Sequence, residues 1–280
     1  MPPEIPDFVP SASGTFGCHL RPPPGDRYRP FVDDFALAAG LVKEAGALAA
    51  RMLREGLSVA RKTSITDVVS AADHAAEELV VARLRAERPD DGIVGEEGTS
   101  DGARADRVWY VDPVDGTYNF VSGIPVWCSA LALGDELGAV YQPSADELWV
   151  GGPGVRTSLN GTALEPLVDR PLHEISLATY LHPTTLPDDS LREPLLRVMR
   201  GAATVRMLGS GSVELAAVAA GRLGASIQSD SLPWDWLPGA ALVRGAGGAA
   251  EVFEAAGHRW HVAGNRRAVA DIEGLLARLP

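Results

Sequence analysis

A change of hydrophobic period along the chain restricts the fold more than any other feature. Between Asp33 and Leu53, apolar residues recur at three- and four-residue steps (Phe35, Ala38, Leu41, Val42, Ala45, Leu48, Ala49, Met52). That spacing predicts an amphipathic helix with Asp33 and Asp34 at its positive end and Gly56 at its close. A second helix is predicted over roughly 70–88, with Ala72, Ala75, Ala76, Leu79, Val80 and Leu84 on one side and Pro89 beyond its end. Strand patterns follow at 92–95, 108–111, 127–133, 138–141 and 148–150, and Asn160-Gly161 reads as a hairpin turn. From Ile175 onward strands and helices alternate, ending in a helix from about Asn265. This order predicts mixed α/β layering, and the lack of an internal repeat excludes solenoids and propellers.

Composition sets the remaining bounds. The chain has 280 residues, 46% of them apolar, enough to bury a sizeable core. Its formal net charge of −12 repels polyanions, so no nucleic-acid partner is expected. Two cysteines, Cys18 and Cys128, cannot make a disulfide framework or a zinc site, which fits a reducing compartment. No uncharged apolar run approaches the roughly 20 residues of a membrane span, so the expectation is a soluble, cytoplasmic protein with no membrane partner. Residues 1–30 are rich in Pro, Gly and Ser without either period and read as an arm. The rest divides into an α+β part, 31–152, and an α/β part, 153–280.

Three acidic segments stand out: Gly95-Glu96-Glu97-Gly98, Asp112-Pro113-Val114-Asp115-Gly116-Thr117-Tyr118-Asn119-Phe120, and Trp234-Asp235-Trp236. Taken singly, the first reads as a solvated turn and the last as a helix cap. Together they place carboxylates where strands leave the core or helices begin. Pro113 is expected to bend the chain after Asp112, and Gly116 to relax it, so that Asp112, Asp115 and the Val114 carbonyl converge. Clustered carboxylates repel one another unless cations neutralise them, and all-oxygen donors favour magnesium, manganese or calcium over zinc. Two divalent ions would set +4 against the −4 of Glu96, Asp112, Asp115 and Asp235. Gly116 and Thr117 precede a helical turn whose free N–H groups attract an anion. This is a setting for phosphate monoester hydrolysis. An aspartyl-phosphate enzyme is disfavoured because the two acids, three positions apart around Pro113, break the alternation of a strand face. No Walker-type loop or dinucleotide fingerprint occurs.

In these motifs, in the segment 62–73 (Lys-Thr-Ser-Ile-Thr-Asp-Val-Val-Ser-Ala-Ala-Asp) and in Gly247-Gly248, the chain resembles the inositol monophosphatase family from about residue 31 to its end. The resemblance implies a layered αβαβα sandwich, a homodimer, a small-molecule phosphate substrate and inhibition by lithium. It implies magnesium, two or three ions per site, with manganese as a substitute. Glu96, Asp112 and the Val114 carbonyl would hold one ion, and Asp112, Asp115 and Asp235 the second. Asp73 with Thr117, and Glu96 as ligand, would serve in-line attack by a metal-activated water, and Gly116 and Thr117 would hold the phosphate. On the substrate side the pattern departs: Gln228 replaces a glutamate, Gly224 and Gly245 stand where acids are common, and Ser210 lies in a Gly-Ser-Gly-Ser version of a Gly-Thr-Ala segment. Ser210 and Gln228 are the candidate substrate contacts. The expected substrate is therefore a sugar, polyol, amino-alcohol or nucleoside-derived phosphate, or else the chain is an altered member acting as a metal- and phosphate-binding regulatory module.

Overall fold

Helix α1 (Phe31–Glu55) turns Ala38, Leu41, Val42, Ala45 and Ala49 into the interior, as its period predicts. The computed structural model describes residues 31–55, 59–61, 68–102 and 105–277. The arm expected over 1–30, with Cys18, and part of the first motif, 62–67, lie outside the described residues. After α1 the order is β1 (Val59–Arg61), β2 (Val68–Ser70), α2 (Ala71–Glu87), β3 (Gly92–Gly95), β4 (Ser100–Asp101), β5 (Val108–Asp115), α3 (Thr117–Ser122), β6 (Cys128–Leu133), β7 (Leu137–Gln142), β8 (Glu147–Gly152), β9 (Val155–Leu159) and β10 (Thr162–Ala163). Then come β11 (Ser176–Thr179), α4 (Asp189–Gly201), β12 (Thr204–Arg206), α5 (Gly211–Ala219), β13 (Ala225–Ser229), α6 (Pro233–Gly245), β14 (Ala249–Ala255), β15 (His258–Gly264) and α7 (Arg266–Leu276).

An eight-stranded sheet has the order β10-β9-β8-β7-β6-β5-β3-β4, antiparallel except for β3 beside β5. A five-stranded sheet has the order β12-β11-β13-β15-β14, with β12, β11 and β13 parallel. Helices α1 and α2 cover the outer face of the larger sheet, α5 and α6 lie between the sheets, and α4 and α7 cover the far face of the smaller one. The result is the αβαβα sandwich that the resemblance implied. The sequence shows why the layers sort this way. Helices α4 and α7 are one-faced, whereas α5 (GSVELAAVA) is apolar almost all round, as a helix covered on both sides must be. Small residues set the spacing: a Cβ on Gly138 would lie 2.0 Å from the Pro238 carbonyl of α6, and one on Gly239 2.2 Å from Leu215 of α5.

The Asn160-Gly161 turn forms as predicted, with both residues at positive φ (50° and 78°). Strand β15 had no clear signal: His261 interrupts its apolar run, yet is buried edge-on against Trp236 at 5.1 Å. Its turn is Ala256-Gly257, at φ 52° and 81°, without the usual Asn or Asp. Gly224 and Gly245 serve packing. A Cβ on the first would stand 2.3 Å from Ile175, and one on the second 2.5 Å from Thr157 Oγ1. Among the described residues no helix is long and apolar enough to cross a membrane.

Candidate metal centre

Strands β3 and β5 run parallel in the larger sheet, and β3 ends with Gly95 opposite Val111, so Glu96 after it comes beside the last residues of β5. Strand β5 does not break at Pro113 as expected. It continues to Asp115 with a bulge, in which Asp112 opposes Ala130 and Asp115 opposes Cys128. Those partners are two residues apart on β6, so the bulge absorbs one residue and brings both aspartates to the same face. The three-residue spacing is thus compatible with a shared strand face. Proline suits the bulge because it has no N–H to leave unpaired. The bulge is fixed by Ser129 Oγ, which donates to the Pro113 carbonyl at 2.6 Å, and by Thr117 Oγ1, which donates to the Val114 carbonyl at 3.0 Å.

Asp235 approaches from the first turn of α6, which Pro233 opens at the position where a missing N–H costs nothing. Carboxylate oxygens of Asp112, Asp115 and Asp235 lie within 4.8 Å of one another. Glu96 sits in the turn after β3; its residue is exposed at the mouth of the cluster, but its carboxyl is turned inward to Asp112. Burial and the charge of Asp235 push the Glu96 carboxyl up to about 8. Burial, followed by the charges of Glu96, Asp115 and Asp235, holds Asp112 well above the usual carboxylate range. Asp235 is pushed up to about 7 by burial and by Asp115. Asp115 is raised by burial and partly relieved by the Ser212 and Gly211 N–H groups, the latter at 3.1 Å. Asp112 Oδ1 is buried with no hydrogen-bond partner among the described residues. A hard cation would answer both findings, since it would neutralise the cluster and take the orphaned oxygen as a ligand.

The other candidates fall around this cluster. Asp73, only 2% exposed in the first turn of α2, is near enough to Glu96 to raise its pKa. Gly116 adopts φ 95° at the start of α3, a left-handed conformation that favours glycine. Ser210 caps α5 and also hydrogen-bonds Asp115, so its hydroxyl is committed within the fold. Gln228 Oε1 accepts from Ser231 Oγ at 3.3 Å, and its side chain also lies against Glu214.

Two supporting residues had no role assigned from sequence. Asn119 Nδ2 donates to the carbonyls of Val126 and Leu208 at 2.7 and 2.8 Å, tying the Asp-Gly-Thr turn to the segment before α5. Glu214, 1% exposed and pushed up to about 8 by burial, accepts from the Leu208 N–H at 2.7 Å. Its signal in the sequence was a lone acid inside an otherwise apolar helix.

Fold and site together define a sugar-phosphatase-like sandwich with an acidic centre at its strand ends. Residues 33–279 match the model of the inositol monophosphatase family, and the chain belongs to that family. It is 32% identical to the inositol-1-monophosphatase of Bacillus subtilis (strain 168), over 78% of this chain and 84% of that one. It is 31% identical to the Nus factor SuhB of Escherichia coli (strain K12), over 82% and 88%. A solved inositol monophosphatase structure from Thermotoga maritima superposes with a TM-score of 0.75 at 27% identity, covering 88% of this chain and 97% of that one. The family is one of metal-dependent phosphatases, and that membership supports hydrolase chemistry in this chain.

Proposed function

We propose that the protein is a magnesium-dependent phosphomonoesterase acting on a small-molecule phosphate. The observation that carries this reading is the cluster of Asp112, Asp115, Asp235 and Glu96, with a buried oxygen on Asp112 that has no partner among the described residues. Glu96, Asp112 and the Val114 carbonyl form one donor set, and Asp112, Asp115 and Asp235 the other. Magnesium bound there supplies Lewis-acid polarisation of the phosphoester and of the attacking water. The chain's own groups do the rest. The N–H groups at Gly116 and Thr117 hold phosphate oxygens, and Asp73 with the Thr117 hydroxyl orients the water for in-line attack. Ser212 and Gly211 aim Asp115 inward by donating to it and offset part of the cost of its burial.

The substrate differs from plain inositol monophosphate in this reading, because Gln228 offers an amide where a carboxylate would grip a polyol. Sugar, amino-alcohol and nucleoside-derived phosphates are the candidates. The test is phosphate release from a panel of such esters with magnesium, for the parent and Asp112→Asn. Loss of nearly all turnover in the variant is expected, and near-parental turnover refutes the assignment. Lithium added to the same assay is expected to inhibit, and gel filtration to show a homodimer. Trapped phosphate on Asp112 or Asp115 would replace water attack by a covalent route.

The altered substrate side, centred on Gln228, also favours a second reading as a metal- and phosphate-binding regulatory module. Binding of phosphate esters across the panel without hydrolysis would select it.

A further inference from the structure

We propose that Glu77 is a positioning residue for Glu96, acting by holding the turn between β3 and β4 in the shape that aims Glu96 at the three aspartates. The inference rests on the reading of the acidic cluster as a cation site. Glu77 lies on α2 one helical turn after Asp73 and is only 4% exposed. Its two oxygens accept three hydrogen bonds, all from that turn: from the Glu97 N–H at 2.9 Å, the Thr99 N–H at 3.2 Å and the Thr99 hydroxyl at 2.7 Å. The Glu96 N–H donates to the Val111 carbonyl of β5 at 3.1 Å. Glu96 is thus pinned on one side by the strand that carries Asp112 and on the other by the helix that carries Asp73. Glu97 adds a further tie to α2, with Oε2 at 3.2 Å from His74 Nδ1. The glycine of the Gly-Glu-Glu motif belongs to the same device, since a Cβ on Gly95 would stand 2.4 Å from Glu77 Oε2.

The chemistry requires a carboxylate. Two N–H groups and a hydroxyl all donate toward residue 77, and only an acceptor-only side chain satisfies them together. Glutamine would turn an NH2 group against one of those donors, leave it unpaired and loosen the turn. Glu96 would then be free to leave the cluster. A cation site built from preoriented ligands loses affinity when their outer support is removed, while the saturated site keeps its turnover.

The test uses the full-length protein and reads Mn2+ binding directly, from the free-ion signal in electron paramagnetic resonance, alongside kcat and the magnesium activation constant. Glu77→Gln is expected to bind Mn2+ roughly tenfold more weakly, with kcat near parental at saturating magnesium. Thr99→Val is expected to shift binding in the same direction by less, and Thr99→Ser, which keeps the hydroxyl, to restore it. The exposed neighbour Glu78→Gln is expected to behave as the parent. Parental Mn2+ affinity in Glu77→Gln and Thr99→Val overturns the proposal, provided Asp112→Asn abolishes binding in parallel. If Asp112→Asn itself binds as the parent does, the cation reading of the cluster falls first and takes this inference with it. Should Glu77→Gln fail to fold, Thr99→Val decides the question alone.

Discussion

Replacing Asp112 with asparagine is expected to stabilise the metal-free protein while destroying its response to cations. Asp112 is buried among three other acids, with Asp115 and Asp235 oxygens inside 4.8 Å. At that separation each like-charge pair costs about 3.5 kcal/mol at an effective dielectric constant of roughly 20. Protonation caps the penalty. Holding one proton at about pH 8 on a group whose unfolded pKa is near 3.9 costs at most about 5–6 kcal/mol, at 1.36 kcal/mol per unit. The cluster shares its protons and Glu96 stands partly in solvent, so about half of that ceiling, ~2–3 kcal/mol, is the expected gain for Asp112→Asn. In a chain of this size that is an increase of roughly 3–5 °C in Tm.

The pH dependence fixes the sign. Carboxyls with raised folded-state pKa values bind protons more tightly when folded, so their stabilising contribution is complete below the ordinary carboxylate range. It is lost as pH rises toward about 7 for Asp235 and about 8 for Glu96. Thermal melts in chelator should therefore show the parent losing stability from about pH 5 to pH 8, with a shallower loss in Asp112→Asn. Added Mg2+ or Mn2+ should raise the parent's Tm more at the higher pH, where fewer protons compete, and leave the variant's unchanged. A variant no more stable than the parent at about pH 8 in chelator, with the same pH slope, would refute the reasoning.

Asp34→Ala should cost about 3–5 kcal/mol in a urea melt, because buried Asp34 accepts from Arg88 at 2.6 Å and Arg107 at 2.8 Å and its loss strands the buried Arg88. Gly224→Asp, which restores a family acid, should destabilise by at least about 1–3 kcal/mol through collision with Ile175, measured by the same melt, and should not raise activity on inositol monophosphate. Gln228→Glu should raise kcat/KM for inositol monophosphate roughly tenfold, the worth of one hydrogen bond to a charged group, and an unchanged preference across the ester panel would count against Gln228 as a selectivity residue.

Much of this was legible in the sequence wherever one period persisted or several chemical motifs agreed. Helices α1 and α2 and strand β3 follow directly from their apolar spacing, and the one-faced outer helices differ visibly from the apolar α5. The acids could be named because carboxylates ending apolar strands are costly without a purpose. What spacing could not convey was the bulge in β5, since a register shift depends on how β6 pairs with it. Nor could it convey Glu77 or Asn119, whose importance lies in backbone groups far away in sequence. Strand β15 was hidden because a buried His261 looks polar until Trp236 is seen beside it.

The origin of the four acids also bears on how the molecule assembles. Asp112 and Asp115 lie on β5 of the larger sheet and Glu96 in the turn after β3, while Asp235 rides on a helix wedged between that sheet and the other. In the proposed site, an ion held by Asp112, Asp115 and Asp235 would therefore bridge β5 and α6. Its binding would act as a latch on the seating of α6, because a chain in which α6 had not packed against the sheet would lack the Asp235 ligand.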